Sequence, residues 1–403
     1  MAYINGKKDF VIIAGSAGES VKTQEKEITI TENGTTEVLP DEGHALSKVT
    51  VTTEVAASGG EFPADRYFEG GYAEVNLPNA TSIKQYAFYG DKTITKISMP
   101  KATSIETYAF YGCSKLAITK LPSGITSIGE NAFNGCTVLV LTELPSGITA
   151  IPKNAFFNCY KLALKELPSG LTTISENAFS GCRNMSLTEL PSGITSIPTY
   201  AFNDCNNIAL TKLPSTMTKV ESYTFARCYK LALTELPSGI TSIDASAFED
   251  CQTLALTELP SGITSILTNA FKGCYNLALT ELPSALTTMY ASAFEKCYDL
   301  AISTLPSGIT SISQKCFKQC TSIQTMEIPS GVTSIGSESF ASCGSLETVV
   351  FKGKPSSINT KAFYGSTELT SIKVPWAQGE VANAPWGAGD NCVITYNYTG
   401  EEE

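Results

Sequence analysis

Cysteine is the first residue type of this chain to consider for a chemical role, because thirteen cysteines occur and eleven of them recur at one spacing. Each of the eleven stands three residues after a phenylalanine. They are Cys113, Cys136, Cys159, Cys182, Cys205, Cys228, Cys251, Cys274, Cys297, Cys320 and Cys343. Adjacent copies could pair as disulfides, yet a free cysteine is also a small apolar side chain that is readily buried. The start of the chain does not read as an export signal, so we predict reduced thiols in a core.

Metal and nucleophilic sites lack the residue types that they need. A zinc site requires paired cysteines or histidines, but the sequence has no CxxC motif and its only histidine is His44. A Ser-His or Cys-His arrangement cannot be assembled within the repeats without a histidine. We therefore predict no catalytic residue, no metal site and no cofactor, and we do not expect an enzyme.

Residues that change from repeat to repeat form a first candidate binding surface. Positions that are identical in every repeat are structural, whereas the variable positions flank the phenylalanine and the cysteine. Tyrosine and arginine are common binding anchors, and stacked tyrosines would suit a sugar ring or a protein. The alternative is an exposed edge that varies without function. The candidate binding edge consists of Tyr160, Lys161, Arg183, Tyr200, Arg227, Tyr229, Lys230, Tyr275 and Tyr298.

A row of glutamates at one repeat position forms a second candidate. This acidic stripe consists of Glu143, Glu166, Glu189, Glu235, Glu258 and Glu281, with Glu327 further along and with Lys120 and Lys212 as interruptions. Like charges one coil apart repel by roughly 1 kcal/mol in water, so an exposed face tolerates them. A solvated face is the simpler interpretation. The functional alternative is a cation or a basic partner that docks along the stripe.

A strict repeat must position these candidates. Phenylalanines recur every 23 residues from Phe110 to Phe363, and Phe88 precedes them by 22. One coil cannot enclose a core alone, so equivalent residues must stack in rows along a solenoid. The period predicts a β-rich solenoid of the α/β type with about thirteen coils. The phenylalanines are expected to face inward.

The apolar spacing within each coil predicts its local course. In the central coils leucines follow the cysteine at the third, fifth and eighth positions, which breaks strict alternation and predicts a bent or bulged strand. From Ile323 onward the pattern changes to Ile323, Met326 and Ile328. Leu-Pro-Ser-Gly fits a type I turn with proline second. Because Thr216 and Ala285 replace this glycine in two coils, the position is not expected to need a positive φ.

Composition divides the chain into four segments. Residues 1–58 read as a small β-rich segment, with strands at Ile28 to Ile30 and Val49 to Val55 and turns between them. A hinge is expected at 57–60. Residues 59–112 are expected to be the first coils, residues 113–350 the regular solenoid, and residues 351–403 a last coil and cap that ends in a solvated acidic tail, Glu401 to Glu403. Trp376 and Trp386 suit the cap, with an aromatic binding site as the alternative.

Charge and hydropathy exclude two classes of partner. The net charge is −11 and no basic cluster occurs, so nucleic acid is not an expected partner. No run of 18 or more apolar residues is present, so membrane insertion is not expected either.

The repeat C-x-x-L-x-x-x-x-L-P-S-G-I-T-S-I-x-x-x-A-F-x-x-C resembles the BspA-like leucine-rich repeats of bacterial and phage surface proteins over about residues 75–375. The segments ITITENGTTEVLPDEGHALSKVTVTTEV and VPWAQGEVANAPWG are similar to parts of phage tail-associated and receptor-binding proteins. The resemblance implies an interaction protein of a virion or cell surface, with no catalytic residues to carry over.

On this basis we expect a structural protein of a phage virion, such as a tail fibre, which is assembled in the bacterial cytoplasm. Residues 1–58 would attach to other virion proteins, and the solenoid would bind a host-surface protein or glycan. The alternatives are a bacterial surface adhesin and an intracellular repeat scaffold or passive spacer. A homo-oligomer, a trimer by analogy with fibres, is plausible.

Overall fold

The computed structural model describes residues 74–78 and 80–400 with their side chains and, before them, only the backbone of six strands. These strands are β1 (Ala2–Ile4), β2 (Lys7–Phe10), β3 (Lys22–Thr31), β4 (Gly34–Thr35), β5 (His44–Thr53) and β6 (Glu61–Phe62). The chain divides into two units. Unit 1 contains residues 1–187 and 191–194, and unit 2 contains residues 188–190 and 195–403.

The strands of the repeats are short. In unit 1 they are β7 (Glu74–Asn76), β8 (Ser82–Ile83), β9 (Lys96–Ser98), β10 (Ser104–Ile105), β11 (Ser127–Ile128), β12 (Ala150–Ile151) and β13 (Thr173–Ile174). In unit 2 they are β14 (Lys219–Val220), β15 (Ser242–Ile243), β16 (Ser265–Ile266), β17 (Thr288–Met289), β18 (Ser311–Ile312), β19 (Thr325–Ile328), β20 (Ser334–Ile335), β21 (Thr348–Phe351), β22 (Ser357–Ile358), β23 (Ser371–Lys373) and β24 (Val393–Thr395).

One wall of each unit is built from the two-residue strands of the Thr-Ser-Ile segment. They pair in parallel with the same segment of the next coil, in the orders β11-β10-β8-β6 and β12-β13 in unit 1 and β14-β15-β16-β17 and β18-β20-β22 in unit 2. Ser104 lies opposite Ser127 and Ile105 opposite Ile128. The isoleucine of each pair is buried, as expected where like residues stack in rows.

The opposite wall forms a sheet only where the apolar spacing alternates. Strands β19, β21, β23 and β24 pair in parallel in unit 2, and Met326 and Ile328 alternate inward along β19. In the coils that begin at Cys113 to Cys274, the segment equivalent to β19, which follows the cysteine, forms no regular strand. Buried residues three apart, such as Leu233 and Leu236, cannot both face inward from one straight strand. The predicted bent strand is therefore an irregular segment in these coils.

Phenylalanines fill the centre of each unit, as predicted from their period. In unit 1 the rings from Phe88 to Phe179 stack with centroids 5.2 to 5.7 Å apart. In unit 2 the rings from Phe202 to Phe363 stack at 5.3 to 5.9 Å. All of these rings are fully buried.

The repeated cysteines are free and buried beside this ladder. The thiol of Cys159 donates a hydrogen bond to the carbonyl of Phe133 in the preceding coil at 3.1 Å, and this contact recurs along each unit. Ser366 occupies the same repeat position, and its hydroxyl donates to Phe340 O at 2.7 Å. Burial raises the pKa of Cys343 to about 12. The position therefore selects a small, neutral hydrogen-bond donor.

The proline turn lies one residue later than predicted. Ile240 N donates to Pro237 O at 3.1 Å, so the turn runs from proline to isoleucine and places glycine third. In a shorter first coil, Ala102 N donates to Met99 O, and the turn begins before the proline. Gly239 and its equivalents do not have a positive φ, which is why threonine and alanine are accepted there.

The α/β description was wrong, because no helix occurs in residues 74–78 and 80–400. Each connection past the phenylalanine is a pair of tight turns. Asn131 and Gly135, on either side of Phe133, have φ values of 55° and 75°. Left-handed residues stop a right-handed helix from extending. Each unit is therefore a β-solenoid.

Strands β3 and β5 continue the parallel pairing, whereas β1 pairs with β2 and β4 with β3 in the antiparallel direction. Strand β3 pairs with β5, β5 with β7 and β7 with β9, all in parallel. The predicted strand at Ile28 to Ile30 lies within β3, and most of the strand predicted at Val49 to Val55 lies within β5. The predicted hinge at 57–60 and the acidic tail at 401–403 lie outside the described residues. The four segment boundaries stay predictions.

The C-terminal tryptophans cover the end of the core. Trp386 is fully buried, and its Nε1 donates to Ala382 O at 2.7 Å. Trp376 packs edge-on against Phe351 with centroids 5.2 Å apart. Since both indoles are enclosed, neither tryptophan offers an open aromatic face to a ligand.

Candidate binding surfaces

We define the corner of a coil as the stretch from two residues before the phenylalanine to one residue after the cysteine. Two left-handed residues bend the chain within each corner, for example Ser246 and Asp250 around Phe248. Adjacent corners are joined through the backbone, since Phe248 N donates to Ala270 O at 2.9 Å. This framework holds the side chains of one repeat position beside those of the next coil.

The corners pair several of the predicted edge residues. Tyr200 stacks on Tyr223 with centroids 4.7 Å apart, and Tyr275 stacks on Tyr298 at 4.8 Å, both in unit 2. In unit 1 the Arg183 guanidinium lies 4.8 Å from the centre of the Tyr160 ring, in a cation–π contact. Each stacked ring is half-buried and has one face covered by its partner.

The remaining edge residues are charged or isolated. Arg227 Nε lies 3.5 Å from Asp204 Oδ1. Lys161 and Lys230 are exposed, and Tyr229 is half-buried. Of the predicted edge, Tyr160, Lys161 and Arg183 belong to unit 1, and the other six residues belong to unit 2.

Ionisation of the corner residues follows their surroundings. Partial burial, reinforced by neighbouring Tyr298 and Asp250, raises the pKa of Tyr275. Its phenol is therefore neutral, and able to donate a hydrogen bond, at any physiological pH. Ion pairs join adjacent corners, such as Lys318 Nζ to Glu338 Oε2 at 2.6 Å.

A tyrosine cluster in the first coils was missed by the sequence prediction. Tyr86 stacks on Tyr108 at 5.1 Å and Tyr89 on Tyr111 at 4.8 Å, and edge contacts join the two stacks. The signal was present as the repeated string Tyr-Ala-Phe-Tyr-Gly. Tyr86 and Tyr108 stand two residues before the phenylalanine, as Tyr200 of the candidate edge does, and Tyr89 and Tyr111 stand directly after it.

The acidic stripe has a different environment in each unit. All six predicted glutamates are exposed. In unit 1, Glu143 pairs with Lys120 at 2.9 Å. In unit 2, Glu235, Glu258 and Glu281 line a groove of about 890 Å³ that crosses four successive coils. The groove is also lined by the leucine and the serine of each turn and by Pro237, Pro260 and Pro283.

Residues 74–78 and 80–400, with the six N-terminal strands, contain no helix long and apolar enough to cross a bilayer. The same part of the chain contains no group of three or more His, Cys, Asp or Glu side chains that could hold a metal ion.

A family model described as "BspA type Leucine rich repeat region (6 copies)" matches residues 81–209, 139–255, 172–301 and 287–383. No curated protein matches the chain. Among solved structures, a leucine-rich repeat protein from Bacteroides ovatus is 20% identical, with a TM-score of 0.61, and the alignment covers 95% of this chain and 97% of that chain.

Two further structures are similar at lower TM-scores. A leucine rich cell surface protein from Faecalibacterium prausnitzii is 22% identical with a TM-score of 0.48, covering 94% of this chain and 96% of that one. The pneumococcal vaccine antigen PcpA is 19% identical with a TM-score of 0.48, covering 97% and 95%.

Proposed function

The chain belongs to the BspA-type leucine-rich repeat family, and from that premise we propose that it is a non-enzymatic protein whose corners bind a protein partner on a cell surface. The observation that carries this proposal is the pairing of anchor residues at variable positions, above all the stack of Tyr275 on Tyr298. Binding surfaces of repeat proteins are built in this way, because a constant framework presents changeable side chains in rows.

The geometry of the pairs favours a protein over a glycan. A sugar ring stacks on an open aromatic face, whereas in each tyrosine pair the rings cover one of each other's faces at 4.7 to 4.8 Å. The paired rings keep their edges and hydroxyl groups for contact. Rigid tyrosine side chains are typical of protein interfaces, where they lose little conformational entropy on binding.

Replacing Tyr275 and Tyr298 together by alanine is expected to lower binding to intact cells by about tenfold or more, since hot-spot tyrosines each contribute roughly 1 to 2 kcal/mol. The melting temperature should stay close to that of the wild type, because both side chains lie at the half-exposed surface. Binding is measured by flow cytometry with fluorescently labelled full-length protein on a panel of bacterial strains.

Two matched variants complete this experiment. Tyr396→Ala, another half-exposed tyrosine, should leave binding unchanged. Tyr275→Phe with Tyr298→Phe keeps the stack and removes the hydroxyls, so it separates ring contacts from hydrogen bonds.

Protease treatment of the cells should abolish binding and periodate oxidation should spare it; the reverse result would identify a glycan. Wild-type binding by the double alanine variant would exclude this edge as the recognition surface.

The proposal extends to the particle that carries the protein. We propose a structural protein of a phage virion, attached through residues 1–58 to other virion proteins, with the corners directed at a host-surface protein. Support comes from the resemblance of the N-terminal and C-terminal segments to phage tail-associated proteins, and a trimer follows by analogy with fibres. A bacterial surface adhesin is the second candidate.

Mass spectrometry of purified phage particles and of washed cell envelopes separates these two locations. Recovery of the chain in particles that sediment at virion density supports the virion. Recovery only in the envelope fraction supports the adhesin. Recovery only from the cytosol of cells without particles would support an intracellular scaffold and contradict both.

A further inference from the structure

Unit 2 has a groove that is separate from the corners. It follows the proline turns of four successive coils, with Lys212 at its first coil and Glu281 at its last. Its volume of about 890 Å³ lies in the range of ordinary ligand sites, about 300 to 1,000 Å³. From this groove we propose that unit 2 binds an extended basic peptide segment of a partner protein.

The floor of the groove is apolar and fixed. The side chains of Leu236, Leu259 and Leu282 are only 8 to 9% exposed and lie beside the prolines of the turns. Each turn is closed by the same backbone hydrogen bond, as in Ile263 N to Pro260 O at 3.1 Å. The turns are also joined to one another, since Thr264 N donates to Thr241 O at 3.0 Å. A groove formed before binding loses little entropy when a ligand enters.

The rim carries negative charge that no ion pair neutralises. Glu235, Glu258 and Glu281 are exposed, and none of them forms a salt bridge within the described part of the chain. At the same repeat position elsewhere, Glu143 pairs with Lys120 and Glu327 with Lys352. The three acids at the groove are thus available to a basic ligand. Ser238, Ser261 and Ser284 also line the groove and supply hydroxyl groups.

The dimensions select an extended chain. Coils stacked about 4.8 Å apart place the first and third glutamates roughly 10 Å from each other. An extended peptide advances about 3.3 Å per residue, so alternate side chains on one face recur every 6 to 7 Å, and about four residues span the three acids. Successive side chains of an extended chain point to opposite sides, so an alternating lysine and leucine sequence directs one row of lysines toward the acidic rim and a separate row of leucines toward the apolar lining.

The direct test is fluorescence anisotropy with the full-length protein and a labelled Lys-Leu-Lys-Leu-Lys peptide. We expect saturable binding that weakens as salt is raised, and no binding of Glu-Leu-Glu-Leu-Glu. Glu235→Gln, Glu258→Gln and Glu281→Gln together should weaken binding by about tenfold, since exposed ion pairs contribute roughly 0.2 to 1 kcal/mol each. Lys212→Glu, which lengthens the acidic row by one coil, should strengthen it by roughly threefold.

A charge-matched control distinguishes the groove from general attraction to an acidic protein. Glu347→Gln, Glu368→Gln and Asp390→Asn remove the same charge from exposed positions of unit 2 outside the groove, and should leave affinity nearly unchanged.

Ser261→Trp fills the exposed middle of the groove without changing charge, and should abolish binding while the melting temperature stays constant; Ser238→Trp repeats the test one coil earlier.

Three results would overturn the proposal. An equal loss in the charge-matched control would show non-specific attraction. Unchanged binding by both tryptophan variants would show that the groove is not occupied. Binding of spermine as tightly as the peptide would show a site for small cations and not for a peptide. None of these outcomes depends on the tyrosine edge, so the two proposals fail or succeed separately.

Discussion

Raising the pH from about 7.5 to about 9.5 is expected to destabilise both units steeply, because unfolding exposes thiols that the fold keeps protonated. An exposed cysteine ionises near pH 8.5. Burial raises the pKa of Cys251 and Cys274 well above that value, and the neighbouring thiols Cys228 and Cys297 behave alike. The folded state therefore holds protons that the unfolded state releases.

The direction and size of the stability change with pH follow from the difference in thiol pKa between the folded and unfolded states. Because the pKa is raised on folding, the stabilisation is complete below about pH 8.5 and is lost as the pH rises toward the folded-state pKa. Each buried thiol that becomes exposed contributes about 1.4 kcal/mol per pH unit above 8.5. Several thiols unfold together in either unit, so their contributions add. Urea unfolding under a reducing agent, followed by circular dichroism at a series of pH values, measures the slope.

The control replaces two thiols that share one row. Cys251→Ala with Cys274→Ala should lower stability somewhat at neutral pH, through two small cavities, and should make the alkaline decline shallower by two protons per unfolding event. Parallel pH profiles for the wild type and the double variant would contradict the assignment of this decline to buried thiols.

Phe248→Ala is expected to destabilise unit 2 by about 3 to 5 kcal/mol. The ring is fully buried and stacks on Phe225 at 5.8 Å and on Phe271 at 5.4 Å. The space left behind cannot collapse easily, because backbone hydrogen bonds hold the coils on both sides, such as Phe225 N to Ala247 O at 2.9 Å. The free energy of unfolding is measured in urea at neutral pH.

Tyr290→Ala provides the comparison for this substitution, since its side chain is 47% exposed and the expected change is within about 0.5 kcal/mol. Each coil contacts only its neighbours, so hydrogen exchange in Phe248→Ala should accelerate most in the coils around residue 248. A loss below 1 kcal/mol, or exchange that accelerates equally throughout unit 2, would show that the phenylalanine ladder does not hold adjacent coils together.

Much of the fold could be predicted from spacing alone. The 23-residue period places Phe248 and Cys251 at the same depth as their counterparts one coil away, because an inward row requires the same residue in every coil. In the central coils the middle apolar residue stands at the fifth position after the cysteine, whereas Met326 stands at the sixth. A second sheet begins at this coil, because only the later position lets alternate residues of one strand face inward. A free thiol row was also predictable from small, apolar side chains.

The binding surfaces were less accessible to sequence reasoning. The candidate edge combined residues of both units, and only the structure shows that Tyr275 stacks on Tyr298 while Tyr229 has no such ring partner among the described residues. The tyrosine cluster of the first coils was missed although Tyr86 and Tyr108 hold the same repeat position as Tyr200, because only the structure shows that their rings stack. The acidic stripe was visible as a pattern, but its groove was not.

The sequence by itself determined the period, the inward rows and the neutral core donors, because a stacked coil repeats its environment at every turn and so repeats its residue types. Tertiary structure alone decided that no helix follows the phenylalanine in the described coils, that the turn begins at the proline and not at the leucine, and which surface residues meet. These features depend on left-handed residues such as Ser246 and on backbone bonds between coils. Contacts with the neighbouring coil determine these backbone dihedral angles, and the sequence of a single repeat does not contain those contacts.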